Sequence, residues 1–294
     1  MEKQYFHTAA KRMSRYKSSI DNPLLKADLY WCRIRTANVV DKIIGVHTHS
    51  SFELHYVLDG EMVIIFENGD RHTLEKGQFA LIPPFKAHDT IAYGDDFSKI
   101  EFRFTVDHAI DFIHSAIESI TSGAAVFNGT EFMSTMVQMM LESAFYARPD
   151  VSTMMSNYFE CFIMDTMYKV ASERKNLKYS GKATGMYDNR RILDIKEFIR
   201  SNIGSMLTCE DVANYSNMTL RHLNRLTNKC LGIPVSKLIA QYKIDLIKEL
   251  LETTDLSLHD ISEMAGFQSE YALSRFFKQN EGIPISIYKK NLFK

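Results

Sequence analysis

The chain has 294 residues, 45% of them hydrophobic, which is more than one compact domain ordinarily needs and enough to bury two cores. No run approaches the roughly eighteen apolar residues of a membrane span, and the N-terminus carries Lys3, Lys11 and Arg12 without a signal peptide's apolar stretch, so a cytoplasmic protein with no membrane partner is expected. A formal net charge of -1 rules out bulk charge as an argument for a nucleic-acid partner, and Cys32, Cys161, Cys209 and Cys230, scattered without C-x-x-C spacing, exclude a disulfide framework or a thiolate metal site.

From about Leu29 to Phe104 the chain reads as strands and turns. Apolar runs at 55–58, 62–66 and 79–82 are separated by Asp59-Gly60, Asn68-Gly69-Asp70 and Lys76-Gly77, the residue types that favour tight turns. An all-β domain over residues 1–106 is expected. Within it, His47-x-His49-x3-Glu53-x6-Gly60 followed by Gly77-x5-Pro83-x4-His88 resembles the two cupin motifs, with Phe85 standing where the second motif has Gly and Ala92 where it often has Asn. Alternation along a strand puts His47 and His49 on one face, where Glu53 and His88 complete a His3Glu set of the kind that holds a divalent metal. Three readings stay open for these side chains: a polar small-molecule pocket, a metal site, or structural histidines. Trp31 is a further pocket candidate, with burial in the core as its alternative.

Residues 107–172 form an expected helical appendage, with apolar residues at helical spacing over 107–118, 130–147 and 154–172. Its methionines suit either core packing or an exchangeable dimer face. The polar stretch 173–189 reads as a linker, and Arg191–Ile203 as the packing helix that opens a C-terminal domain over 190–294. That domain carries roughly 15 basic against 13 acidic residues from Asp188 onward, so any nucleic-acid contact must come from a local array of cations.

The C-terminal hundred residues contain a repeat. At an offset of 49, Leu207-Thr208 matches Leu256-Ser257 and Asp211-Val212 matches Asp260-Ile261; after Gln268, one extra residue, the offset is 50, and Thr219, Leu223, Arg225 and Gly232-Ile233-Pro234 match Ser269, Leu273, Arg275 and Gly282-Ile283-Pro284. Each copy reads as helix, turn, helix. Thr208 with Asp211 and Ser257 with Asp260 are capping signals; Asn217 and Gly266 tolerate the left-handed turn that ends the first helix; Thr219 and Ser269 cap the second. Pro234, expected at the first position of a helix, opens a long connector running to about Glu252 and spanning roughly 28 Å, close to one DNA turn.

Two helix-turn-helix copies in register place their second helices for the major groove. In the first, Leu223 and Leu226 pack, leaving Leu220, Arg221, Asn224 and Arg225 on the free face; in the second, Ala272, Leu273, Phe276 and Phe277 pack, leaving Glu270, Tyr271, Ser274, Arg275 and Lys278. Arg and Asn match guanine and adenine edges. The segment 256–288, LSLHDISEMAGFQSEYALSRFFKQNEGIPISIY, resembles the AraC-type signature in its Ala-Gly-Phe turn, Ser-Arg-x-Phe-Lys helix and Gly-x-x-Pro ending. The resemblance covers about a hundred residues from Arg190 on; the chain departs from it in the first copy at Thr227-Asn228, where an aromatic and a basic residue are usual, and in the second at Ser262, where Ala is.

That resemblance implies a two-domain fold: an N-terminal all-β cupin-like barrel with a helical appendage, and a C-terminal all-α domain of two helix-turn-helix units joined by a long helix. It implies a transcription regulator that binds double-stranded DNA through Thr219, Leu220, Arg221, Asn224, Arg225, Glu270, Tyr271, Ser274, Arg275 and Lys278. A small-molecule effector, a sugar among the candidates, would lie among Trp31, His47, His49, Glu53 and His88, in a homodimer with RNA polymerase as a further partner. No cofactor is required and no catalytic residue expected. The rival class is a metal-dependent cupin enzyme fused to a DNA-binding domain, its metal on His47, His49, Glu53 and His88.

Overall fold

The computed structural model describes the chain apart from residues 1, 14–15, 37–45, 110–112, 114–116, 118–119, 121–124, 147–149, 174–183 and 293–294. It divides into two compact units, the first made of residues 1–47 and 51–179 and the second of residues 48–50 and 180–294.

The first unit opens with helix α1 (Glu2–Met13) and continues through strands β1 (Ser18–Asp21), β2 (Leu25–Thr36), β3 (Phe52–Phe66), β4 (Arg71–Glu75), β5 (Gln78–Ile82), β6 (His88–Ala109) and β7 (Ala125–Asn128) to helices α2 (Glu131–Tyr146) and α3 (Val151–Glu173). The strands form one antiparallel sheet in the order β1-β2-β6-β3-β5-β7, with β4 on β3. Its two faces differ in chemistry. Leu54 and Tyr56 of β3, Phe79 and Leu81 of β5, and Ile100, Phe102 and Phe104 of β6 pack with Ala9 and Met13 of α1 and with Met133, Met140, Phe159, Phe162 and Met167 of α2 and α3. The opposite face carries Val57, Met62, Ile64, Phe66, Leu74, Ala80, Ile82 and Phe97. Met133, Met140, Met155 and Met167 are therefore core fillers, whereas Met139 is exposed.

Two expected features change form. Asp59-Gly60 is not a hairpin turn: β3 runs through it, and the register against β6 shifts at Val57/Asp59 and Asp59/Glu61 with Gly60 at φ 74°. This is a glycine bulge that bends one long strand, and a Cβ on Gly60 would sit 3.0 Å from the Phe97 Cα. Asn68-Gly69 and Lys76-Gly77 do turn the chain, with positive φ at both glycines. The helix expected over 107–118 begins late, because β6 continues to Ala109; Ile113 and Ile117 are helical and most of the remainder lies outside the described residues. The N-terminal helix had no clear sequence signal. It is held by Arg12, whose guanidinium donates to the carbonyls of Ala144, at 2.9 Å, and Phe145 at the C-terminal end of α2.

The second unit is helical: α4 (Thr184–Asn202), α5 (Cys209–Tyr215), α6 (Leu220–Leu231), α7 (Val235–Thr253), α8 (Leu258–Met264), α9 (Glu270–Glu281) and α10 (Ile285–Leu292). Its first helix starts at Thr184, ahead of the expected Arg191 and inside the expected linker, most of which lies outside the described residues. Both capping boxes form: Thr208 with Asp211, and Ser257 with Asp260. Thr219 and Ser269 cap α6 and α9, and Asn217 (φ 51°) and Gly266 (φ 70°) take the left-handed conformation between the helices of each copy. Pro234 is the N-cap of α7 rather than its first residue, with extended backbone (φ -72°, ψ 158°).

The core of the second copy gathers Ile244, Ile247 and Leu251 of α7 with Ile261, Ala265, Leu273, Phe277 and Tyr288. Lys243 of α7 is buried, and its ammonium donates to the carbonyls of Ser205 (3.1 Å) and Ala265 (2.9 Å) while lying 4.8 Å from the Phe267 ring centre. Burial lowers its pKa. It thereby ties the segment before the first copy to the turn of the second. The buried Lys248 pairs with the half-buried Glu281 at 2.5 Å and fixes α7 to the end of α9.

Candidate functional site

The second helices of the two copies, α6 and α9, each run 12 residues from a hydroxyl cap to a left-handed glycine, Gly232 or Gly282. Leu223 and Leu226 in α6, and Leu273 and Phe277 in α9, are buried. Arg221 and Arg225 on α6, and Glu270, Tyr271, Arg275 and Lys278 on α9, are exposed, Tyr271 to 77%. Leu220 and Ser274 are half-buried at the edge of these faces. Thr219 is exposed, but its hydroxyl accepts the His222 N–H at 3.2 Å and so belongs to the helix start.

Asn224 has a task that the sequence pattern did not reveal. Its Oδ1 accepts the Val235 N–H at 3.0 Å, supplying the N-terminus of α7 with the acceptor that Pro234 lacks. The two atypical positions have local explanations. Thr227, matching Phe277, is fully buried, with its hydroxyl donating to the Asn224 carbonyl at 3.2 Å, so the first copy has a smaller core plug where the second has an aromatic ring. Ser262 is also buried, and its hydroxyl donates to the His259 carbonyl at 2.8 Å, which removes the cost of placing a serine there.

His47, His49, Glu53 and His88 converge, their ligand atoms all within 4.8 Å of one another. The His47 and His88 backbones bond to each other in both directions (2.9 and 3.0 Å), and their rings lie 4.5 Å apart. His88 Nε2 is 3.0 Å from Glu53 Oε2 and its Nδ1 is 2.9 Å from the Lys86 carbonyl. A proton on Nδ1, donated to that carbonyl, turns the Nε2 lone pair toward the cluster, the orientation a metal-binding histidine needs. The donor set thus fits a divalent cation. Phe85, where the second cupin motif has Gly, adopts φ 63°, so the turn keeps the left-handed backbone that the glycine would have served.

Trp31 does not join that cluster. It lies in a second polar set on the same sheet face, which the sequence reading missed apart from Trp31 and Glu53. Register across β2, β6 and β3 builds three rungs: Trp31–Arg103–Glu53, Arg33–Glu101–His55 and Arg35–Lys99–Val57. All of these but the half-buried Arg35 are buried. Arg33 and Arg103 lie over the Trp31 ring, 4.3 and 5.4 Å from its centre. Lys99 is 3.0 Å from Glu101 Oε2 and 3.3 Å from His55 Nδ1, and Arg35 is 3.3 Å from Glu101 Oε1. Although burial pushes the Glu101 carboxyl up, Lys99, His55 and Arg35 outweigh it and hold its pKa well below the ordinary range. Burial and the Lys99 charge lower the His55 pKa against the opposing pull of Glu53 and Glu101. Glu53, His55 and Glu101 also have metal-compatible spacing, but the Lys99 ammonium already occupies the cation's place beside Glu101.

These features define a class: a DNA-binding regulator with paired helix-turn-helix reading heads and a strand-rich, cupin-like N-terminal domain. A helix-turn-helix domain family matches residues 212–291 and a cupin domain family matches residues 40–100. The HTH-type transcriptional activator AarP of Providencia stuartii is 31% identical over 113 residues, covering 38% of this chain and 83% of AarP. The Msm operon regulatory protein of Streptococcus mutans is 23% identical over 256 residues, covering 84% of this chain and 87% of that protein. Among solved structures, ToxT from Vibrio cholerae superposes with a TM-score of 0.60 at 14% identity, covering 95% of this chain and 97% of ToxT, a likeness of fold. The chain belongs to the AraC family of transcription regulators. No helix among the described residues is long and apolar enough to cross a membrane.

Proposed function

We propose that this regulator reads DNA through α6 and α9 and that a small molecule bound on the polar face of the N-terminal sheet controls its affinity. The observation that carries the first half is the exposure of Arg221, Arg225 and Arg275 on capped, equivalent helices of one polypeptide. Arginine forks fit guanine edges in the major groove, while the hydroxyl-capped helix starts suit phosphate contacts. Replacing Arg221 or Arg275 by Ala should cost about 1–3 kcal/mol at the cognate site and relax preference at a few base pairs. Unchanged gel-shift affinity in both variants would show that the reading faces lie elsewhere.

Control by a ligand is supported by the enclosed, charged face around Trp31, His55 and Arg103, a costly arrangement for a purely structural sheet. One ToxT structure is described as bound to an unsaturated fatty acid; it matches this chain with a TM-score of 0.58 at 13% identity, over 93% of this chain and 92% of ToxT. The Msm relative is named for an operon it regulates.

The His47, His49, Glu53 and His88 cluster supports a second component of the reading, a divalent cation that would act as an anchor for oxygen ligands. Elemental analysis of purified protein, with the melting temperature before and after chelation, tests it. Loss of a stoichiometric metal with a fall in Tm is expected, and a metal-free protein with an unmoved Tm would remove it. A homodimer is favoured by Phe132, Met139 and Tyr146, exposed at seven-residue spacing on α2. Charged replacements there should yield monomers in sedimentation; an unchanged oligomer would place the dimer contact elsewhere.

A further inference from the structure

The joint between the two helix-turn-helix copies is built around one buried cation. Lys243 of α7 is 8% exposed, and its ammonium meets the carbonyls of Ser205 (3.1 Å) and Ala265 (2.9 Å) with the Phe267 ring centre 4.8 Å away. Ser205 lies just past α4, its N–H donating to the Asn202 carbonyl at 3.0 Å, and Ala265 is the C-cap of α8. Two helix C-terminal ends, one leading into the first copy and one inside the second, thus offer carbonyls to the same ammonium, the sign of charge that such ends favour. Separating them would leave a buried cation short of acceptors, which is costly.

The two ends also meet backbone to backbone. A Cβ on Gly266 would stand 2.4 Å from the Ser205 carbonyl oxygen, and one on Gly204 would stand 2.8 Å from the Met264 carbonyl oxygen. From this joint, ring contacts lead toward both reading helices. Phe267 lies against Phe276 of α9, ring centres 5.1 Å apart, while Phe198 of α4 stacks at 4.0 Å on Tyr215 of α5, the helix before α6. Through Ile244, Ile247 and Leu251, α7 packs into the second copy. Lys243 adds a direct bridge from there to the segment that precedes the first copy.

We infer that Lys243 is a positioning residue for DNA reading: by clamping Ser205 to Ala265 it fixes the rotation of α6 relative to α9, and so the spacing of the two DNA elements that one chain accepts. This rests on the two-helix reading above and deepens it. One base pair advances the groove by about 3.4 Å and turns it by about 35°. A rigid pair of helices therefore discriminates between spacings, whereas a hinged pair tolerates them and gains less from binding both elements.

The test measures gel-shift affinity of the full chain for the duplex it selects from a random library. Companion duplexes have one or two base pairs inserted or removed between the elements, and another has one element scrambled. The parent should bind the altered spacings about ten-fold or more weaker than the selected one, the second element being forfeited. Lys243→Met keeps the apolar stem and removes the ammonium. It should weaken binding at the selected spacing and bring all spacings to within about three-fold of one another, with affinity for the one-element duplex unchanged. Gly204→Ala pries the same joint apart with Lys243 in place and should relax spacing in the same way, which covers the case in which the methionine variant does not fold. Spacing preference as sharp in both variants as in the parent overturns the inference and leaves reading by two helices intact. A parent indifferent to spacing also overturns it. A parent that binds the one-element duplex as tightly as the complete one would overturn the two-helix reading itself.

Discussion

The Asn224 carboxamide accepts the Val235 N–H and so works as a cap for α7, although it also lies beside Arg221 and Arg225 on the reading helix. The two tasks can be separated by chemistry. Asn224→Asp keeps an acceptor at the helix N-terminus, where negative charge is favourable, and places that charge near phosphate. Its folding stability should match the parent while DNA affinity falls about ten-fold, each ten-fold step being about 1.4 kcal/mol. Asn224→Ala removes the cap and should cost about 1 kcal/mol of stability. Urea melts and gel shifts on both variants check this. Equal stability of the alanine variant and the parent would mean that the cap is idle.

At the scale of elements, the turns of the two helix-turn-helix copies are equivalent in backbone and unequal in surroundings. Asn217 and Gly266 share the left-handed conformation, but a Cβ on Gly266 would stand 2.4 Å from the Ser205 carbonyl oxygen, whereas one on Gly232, at the end of α6, would meet nothing within 4 Å. Gly232→Ala should therefore cost about 1–2 kcal/mol, the left-handed penalty alone, and Gly266→Ala clearly more, as read by urea melts. Similar losses in the two variants would refute the close approach. The capping boxes carry a pH signature. Hydrogen bonds from Thr208 and Ser257 lower the pKa of Asp211 and Asp260 below 3.8. A folded-state pKa below the unfolded value gives stability that is present above about pH 4 and is lost as pH falls through the folded pKa. Asp211→Asn with Asp260→Asn should flatten the acid limb of the stability profile below pH 4 and leave its shape near neutrality unchanged. An acid limb that stays as steep would show that other groups set it.

These caps were legible in the sequence because their physics spans three residues, and the repeat was legible because Arg225 and Arg275 recur with their caps. The lining around Trp31 was not. Residues 31–35 and 99–103 alternate charged and apolar side chains, which fixes two faces of a sheet without saying which one is enclosed. The usual reading sends such charges to solvent; here Lys99, Glu101 and Arg103 are buried although they lie on the face opposite the one that packs against helices α1, α2 and α3. Gly60 misled for a similar reason, since a glycine with positive φ serves a bulge as well as a turn, and only pairing with β6 distinguishes them.

For the whole molecule, two exposed reading helices on one polypeptide imply an asymmetric site, because α7 connects copies whose side chains differ. Its 19 residues correspond to roughly 28 Å, near the spacing of successive major grooves. A ligand on the N-terminal sheet shifts the affinity for that site only to the extent that it binds the DNA-competent state differently. The most direct test of the central claim is selection of bound sequences from a random duplex library with the full chain, Arg221→Ala and Arg275→Ala. The parent should select an asymmetric motif of two elements about 10 base pairs apart. Arg221→Ala should blur one element and Arg275→Ala the other. Loss of the same positions in both variants, or a motif unaltered in either, would contradict reading by two separate helices.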